Sequence, residues 1–233
     1  MKRTNRVTGM AAALAGAIIG LGALAAPATA DVLVRHAKGE LSLPSTPEKV
    51  FVFDLASLDT LTALGVEVSG VPGGKKPAYL SQYEGEDVAK IGTLFEPDYE
   101  AINAGEPDLI IVAGRSSAKY EDLAKLAPTI DLTTDTENFL ESARQNARTL
   151  AGLFGKEEEA EALLAKLDES NAALGREGDA ASKFLDNEIV AQTTAWKEGN
   201  VVYLDAAAWY LVGGGLTAMQ KTVDQLTEAF DKK

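Results

Sequence analysis

The chain has 233 residues, of which 46% are hydrophobic and 24% charged, and its formal net charge is −13. This balance belongs to a folded globular protein, and the acidity argues against nucleic acid or an anionic membrane surface as the main partner. With no cysteine and the single histidine His36, disulfides, cysteine-ligated zinc, iron–sulfur clusters, thiol catalysis and multi-histidine metal sites are excluded.

Lys2, Arg3 and Arg6 open the chain, residues 10–26 carry no charge, and Ala28-Thr29-Ala30 precedes Asp31. A basic start, an apolar run and a small-residue site together predict a secretory signal, residues 1–30, cleaved after Ala30. The competing reading is a membrane anchor, for which the run is at the short limit. Without a cysteine, a lipid-anchored form is excluded. Removing three positive charges takes the net charge from −13 to −16 over the remaining 203 residues. A bacterial periplasm is the expected location.

Residues 31–37 and 40–43 read as short strands joined at Lys38-Gly39, a hairpin. Val50-Phe51-Val52-Phe53 is a continuous apolar run, as in a buried strand. Asp54 is placed to cap a helix in which Leu55, Leu58, Leu61 and Leu64 recur at helical spacing up to Gly65. Residues 66–71 form a second apolar run, ended by Pro72-Gly73-Gly74. A loop with Lys75, Lys76 and Pro77 leads to residues 78–83. After residues 91–95, Glu96-Pro97-Asp98 opens a helical stretch to Asn103. Leu109-Ile110-Ile111-Val112-Ala113 is the clearest buried strand; Gly114-Arg115-Ser116 is a loop, 117–126 is helical and 128–132 is a short strand. This alternation predicts a parallel α/β architecture. Residues 134–154 and 156–174 are long amphipathic helices meeting at Gly155. Beyond them come a helix over 181–189, a strand within 199–205, and Gly213-Gly214-Gly215 ahead of a final helix to Phe230.

Two catalytic motifs are approached and missed. Gly114-Arg115-Ser116-Ser117-Ala118 sits where a hydrolase nucleophile elbow belongs, but the last position is Ala118 and the only histidine lies upstream of the serine. Gly73-Gly74-Lys75-Lys76 has Ser69 where a phosphate loop needs glycine, and Lys76 where it needs Ser or Thr. The glycine triplet before the last helix reads as a tight turn, and no pair of carboxylates has a spacing diagnostic of acid–base catalysis.

Several stretches resemble the periplasmic iron–siderophore-binding proteins of ABC importers, in particular the catecholate-type branch. They are residues 47–54 (Pro47 to Asp54), 92–100 (Gly92-Thr93-Leu94-Phe95-Glu96-Pro97-Asp98-Tyr99-Glu100), 107–116 (Pro107 to Ser116), Tyr203-Leu204-Asp205 and 209–216 (Trp209 to Leu216). The resemblance implies a helical-backbone periplasmic binding protein, two α/β lobes joined by a long helix with the ligand between them. On that pattern, residues 31–153 are the N-terminal lobe, 154–176 the connecting helix and 177–233 a partial C-terminal lobe. Residues 175–233 are too few for the family's second lobe, so the region near 175–178 reads as an internal deletion. Two cleft arginines that the family draws from that lobe have no counterpart, and weak or absent binding is the expectation that follows.

Ligands of open α/β sheets bind beyond the carboxyl ends of strands, which selects loops 54–56, 92–95 and 114–116. Arg115 follows the strongest strand, and the resemblance implies that it faces the cleft and contacts an anionic ferric siderophore. A guanidinium offers permanent charge and several directed donors to catecholate oxygens. Gly114, Ser116, Thr93 and Leu94 belong to the same loops. Lys75 and Lys76 border the cleft in this reading, Tyr79 is placed to stack on a catechol ring, and Trp209 and Tyr210 match an aromatic pair near the family's cleft. His36 reads as a surface or core residue, not an iron ligand. The expected function is capture of a ferric siderophore, without catalysis, a cofactor or a metal ligand from the protein, and delivery by a monomer to an inner-membrane ABC permease. Haem or cobalamin is the alternative ligand on the same fold. The rival classes are an exported hydrolase using the Ser116 loop and a non-binding truncated remnant.

Overall fold

The computed structural model describes residues 31–177, Thr194, Glu198, Val202, Leu204, Asp205, Ala208, Trp209 and residues 212–231. The signal segment, the helix over 181–189, most of the strand within 199–205 and Tyr210 lie outside the described residues.

Strands β1 (Val32–His36) and β2 (Gly39–Leu43) form the antiparallel hairpin, with Val34 and Leu43 turned into the core. The other strands are β3 (Val50–Val52), β4 (Gly70–Val71), β5 (Ala89–Lys90), β6 (Leu109–Val112) and β7 (Thr129–Asp131). They build one five-stranded sheet in the order β5-β4-β3-β6-β7, and each neighbouring pair is parallel.

Residues of β3 and β6 alternate between two apolar layers, as the two-residue period of a strand requires. Val50, Val52, Leu109 and Ile111 join Leu58 and Leu61 of α1 (Leu55–Ala63) on one face. Phe51, Phe53, Ile110 and Val112 meet Ile102 of α2 (Tyr99–Gly105) and Leu123 of α3 (Tyr120–Leu123) on the other. Both faces are covered, so these strands read as unbroken apolar runs rather than alternating ones. Burial of each such side chain contributes about 1.5–3 kcal/mol. Phe51 fits because it meets two glycines: a Cβ on Gly70 would lie 2.5 Å from its Cδ1, and one on Gly105 2.8 Å from its Cε2.

Asp54 caps α1 as expected, accepting from the Ser57 N–H at 2.7 Å and the Ser57 hydroxyl at 2.8 Å. The run 66–71 yields only the two-residue strand β4, and residues 78–84 form a 3-10 helix (Ala78–Glu84). A second 3-10 helix, Gly114–Lys119, replaces the expected loop and helix start after β6. Helix α4 (Phe139–Phe154) begins five residues later than the pattern predicts, because Asp135 binds the Glu137 N–H at 2.8 Å and closes a turn first. It ends at Gly155 in the left-handed region (φ 62°), where glycine carries no Cβ cost. Helix α5 (Glu157–Glu177) then packs back on α4.

The last helix, α6 (Leu216–Asp231), returns to the first. Ala143 and Ala147 of α4, Leu164 and Leu167 of α5, and Leu216, Met219 and Val223 of α6 form a shared apolar cluster. The N-terminal N–H groups of α6 have no partner within their own helix, and α1 supplies acceptors. Thr60 Oγ1 accepts from Leu216 N–H at 3.4 Å, and the fully buried Asp59 accepts from Ala218 N–H at 3.0 Å.

Candidate functional site

The strand order locates the site. The chain runs outward from β3 through β4 to β5, then crosses back to β6 on the other side of β3. At such a reversal the loops leaving the two central strands part in opposite directions and open a crevice beyond their carboxyl ends. A cavity of about 930 Å³ lies there. Asp54, Ala56 and Ser57 line it from the start of α1, Ala113, Gly114 and Arg115 from the end of β6, and Leu132, Thr133, Thr134 and Thr136 from the segment after β7. Phe139, Asn146 and Leu150 of α4 form a further wall, and Trp209, Gly213 and Gly214 close the side beneath α6.

The walls combine apolar surface with hydroxyls and one charge of each sign. Trp209 is 59% exposed and Phe139 44% exposed, so the lining includes two solvent-accessible aromatic residues, a side-chain type suited to contact with a flat aromatic ligand. Arg115 is exposed at the mouth. Asp54 stands near it: burial pushes its carboxyl pKa up, opposed by the Ser57 hydrogen bonds, the Ala56 N–H and the Arg115 charge. Asn146 Nδ2 donates to the Leu132 carbonyl at 2.7 Å and fixes the β7 exit against α4.

Of the residues expected at the site, Gly114, Arg115 and Trp209 line this cavity. Ser116 does not: its side chain is fully buried, and its hydroxyl donates to Ala113 O at 3.0 Å and accepts from Ala113 N–H at 3.1 Å. It closes its own turn, and a hydroxyl held beneath the surface in this way is not presented to a substrate.

Thr93 and Leu94 are also away from the cavity. Their loop follows β5, the edge strand two positions from β3, so the strand order carries it off the crevice. Thr93 Oγ1 accepts from Glu96 N–H at 3.0 Å, and Leu94 packs on the core. Lys75 is exposed outside the cavity lining. Lys76 folds onto its own loop, its Nζ donating to Pro72 O at 2.8 Å; burial and the Lys90 charge push its pKa down, and Glu84 opposes them. Tyr79 packs inward, with Lys221 Nζ 3.7 Å from its ring centroid; burial, Asp59 and Asp205 hold its phenol pKa above the ordinary value.

His36 is a fastener. Its Nδ1 accepts from the N–H groups of Asp131 and Lys38, both at 3.3 Å, and its ring lies 5.8 Å from Tyr120. Burial pushes its pKa down, partly offset by the Asp131 charge. Among the described residues no group of three or more His, Asp or Glu is placed to hold a metal ion.

The loop 54–56, selected from the sequence, supplies Asp54 and Ala56 to the lining, whereas the threonines after β7, Phe139 and Asn146 were not named. The segment 132–136 follows a strand just as 114–116 does, and the same carboxyl-end rule applied to β7 would have found it.

Comparison with known proteins agrees with this architecture. Residues 50–180 match the model of a family described as periplasmic binding protein. The petrobactin-binding protein YclQ of Bacillus subtilis is 28% identical, in an alignment covering 87% of this chain and 89% of the relative. That alignment spans 282 positions, more than the 233 residues here, so the relative contains residues that this chain lacks. The crystal structure of YclQ superposes with a TM-score of 0.81 at 27% identity, covering 88% of this chain and 100% of that one. The iron uptake ABC transporter substrate-binding protein PiuA of Streptococcus pneumoniae gives 0.78 at 26% identity, with 87% and 99% covered. The ferric-anguibactin-binding protein FatB of Vibrio anguillarum is 21% identical over 88% of this chain and 89% of the relative. This chain belongs to the periplasmic binding protein family, whose members bind substrates rather than transform them.

Proposed function

We propose that this chain is the substrate-binding component of an ABC importer and captures a ferric siderophore in the cavity beyond β3, β6 and β7. The carrying observation is the position of Arg115 and Trp209 on one cavity at the strand-order reversal. A guanidinium and an exposed indole suit an anionic, aromatic iron chelate. The names of the relatives point the same way: YclQ binds petrobactin and FatB ferric anguibactin. In this reading the siderophore brings the iron already coordinated, and the protein contributes shape, charge and aromatic contact. Export through residues 1–30 to the periplasm, action as a monomer, hand-over to a permease, and a division into 31–153, 154–176 and 177–233 complete it.

The test is a fluorescence and thermal-melt titration with iron(III)-loaded petrobactin, tris-catecholato iron(III), ferric citrate, haem and cobalamin. Saturable quenching with a raised melting midpoint is expected for the iron–catecholate complexes, and Arg115→Ala weakens it. No binding of either complex, or equal affinity in Arg115→Ala, would overturn the reading.

A further inference from the structure

We propose that Asp131, which does not line the cavity, is a positioning residue for Arg115. This inference rests on the proposed role of Arg115. The buried carboxylate of Asp131 sits at the end of β7, beside the turn that carries Arg115. One of its oxygens, Oδ1, accepts from Thr133 N–H at 2.9 Å and from the Thr133 hydroxyl at 2.5 Å. Thr133 Oγ1 in turn accepts from Gly114 N–H at 2.9 Å. The other oxygen, Oδ2, accepts from the Ser117 hydroxyl. Gly114 and Ser117 bracket Arg115 and Ser116, so one carboxylate grips the turn on both sides of the arginine.

The grip has a physical purpose. Arg115 is carried on an exposed turn, and disorder in such a turn is an entropic cost that binding would have to meet. Gly114 adds backbone freedom, adopting φ 46°. Bonding the N–H of Gly114 and the side chain of Ser117 to one rigid strand end removes that freedom beforehand. The strand end is itself held, since Asp131 O accepts from Ala37 N–H at 2.8 Å and Asp131 N–H donates to His36. Charge-assisted hydrogen bonds to a buried carboxylate are the stronger kind.

Three variants cut the grip at different places: Ser117→Ala, whose side chain is outside the cavity lining, Thr133→Val, and Asp131→Ala. Amide hydrogen exchange on the full chain is expected to quicken at residues 113–118 in each, and to stay unchanged in α1. Affinity for tris-catecholato iron(III) is expected to fall by roughly tenfold in Asp131→Ala and by less in the single-arm variants. In the Arg115→Ala background, Ser117→Ala is expected to leave the residual binding unchanged. Unchanged exchange at 113–118 in all three variants would overturn the proposal, whatever the binding result. Equal losses from Ser117→Ala with and without Arg115 would overturn it too, by showing that the arm does not act through the arginine. Failure of the wild type to bind the complex strikes the functional reading instead, and the exchange measurement still decides whether Asp131 orders the turn.

Discussion

Asp59, in the first helix, accepts a hydrogen bond from the backbone N–H of Ala218, in the last, at 3.0 Å across 159 residues of chain. A helix start normally finds its cap in the residue just before it. Here Gly215 occupies that place and has no side chain to offer, and α1 contributes the carboxylate.

The cap is pH-dependent. Burial pushes the Asp59 pKa from 3.8 up to about 6, against the Ala218 and Thr217 hydrogen bonds and the Lys221 charge that favour the anion. Between about pH 4 and pH 6 the folded chain therefore holds a proton that the unfolded chain has released. The contribution of this group to stability falls as pH rises through that window and is constant above it. A displacement of this size corresponds to about 3 kcal/mol. Asp59→Asn keeps an acceptor for Ala218 and has no proton to lose. Denaturant unfolding at several pH values is expected to show the wild type losing stability relative to Asp59→Asn between pH 4 and 6. A pH-independent difference between the two proteins would remove the argument.

Gly215 is required by the same contact. A Cβ there would lie 2.6 Å from the Asp59 Cβ, whereas at Gly214 the nearest atom would be Thr134 Oγ1 at 3.5 Å. Gly215→Ala is expected to cost about 1–3 kcal/mol, as other overpacked sites do, and Gly214→Ala to be nearly neutral. Thermal melts of the two variants side by side check this; equal midpoints would show that Asp59 yields easily.

Glu106 caps the end of α2 in the left-handed region, at φ 46°, and among the described residues it is the one non-glycine with positive φ. Its side chain is exposed, so nothing in the packing needs it. Glu106→Gly is expected to stabilise the fold by up to about 1 kcal/mol, the steric relief exceeding glycine's added chain entropy. An unchanged unfolding midpoint in urea would show that the strain is already relieved.

Asp54 places a carboxylate beside the arginine assigned to an anionic ligand. Asp54→Asn retains an acceptor for the Ser57 N–H and removes the opposing charge. Tris-catecholato iron(III) is expected to bind this variant several-fold more tightly, with the smallest difference at low pH, where the raised pKa already favours the neutral acid. Weaker binding by the variant would mean that Asp54 instead helps to orient Arg115.

The long apolar runs made most of this fold legible. β3 and β6 stand out because both of their faces are covered, and the Asp54 cap and the leucine spacing of α1 follow from local rules. β4 and β5 do not stand out, since two residues show no period and Lys90 is exposed. Arg115 and Trp209 were legible as charge and aromatic surface next to recognisable elements. Thr93 and Leu94 lie off the cavity because they follow the edge strand β5, and which strand lies at the edge is decided by long-range pairing that no local pattern records. Lys76 and Tyr79 lie off it because one bonds its own loop and the other packs on the core. Asp131 passed unnoticed because a buried aspartate has the same letter as a solvated one.

The strand order also bears on how the chain assembles. In chain order β4 follows β3 directly, whereas β6, the other neighbour of β3, comes only after β5 and α2. Until then Val50, Phe51 and Val52 present an apolar edge of unpaired N–H and C=O groups, a template for another copy of the same strand. The last helix arrives later still, and Asp59 waits for it. A nascent chain that collapsed early would thus expose both a sticky edge and an unanswered buried carboxylate. Both hazards end only when the last residues have been made, because the partners of β3 and of Asp59 come from β6 and α6.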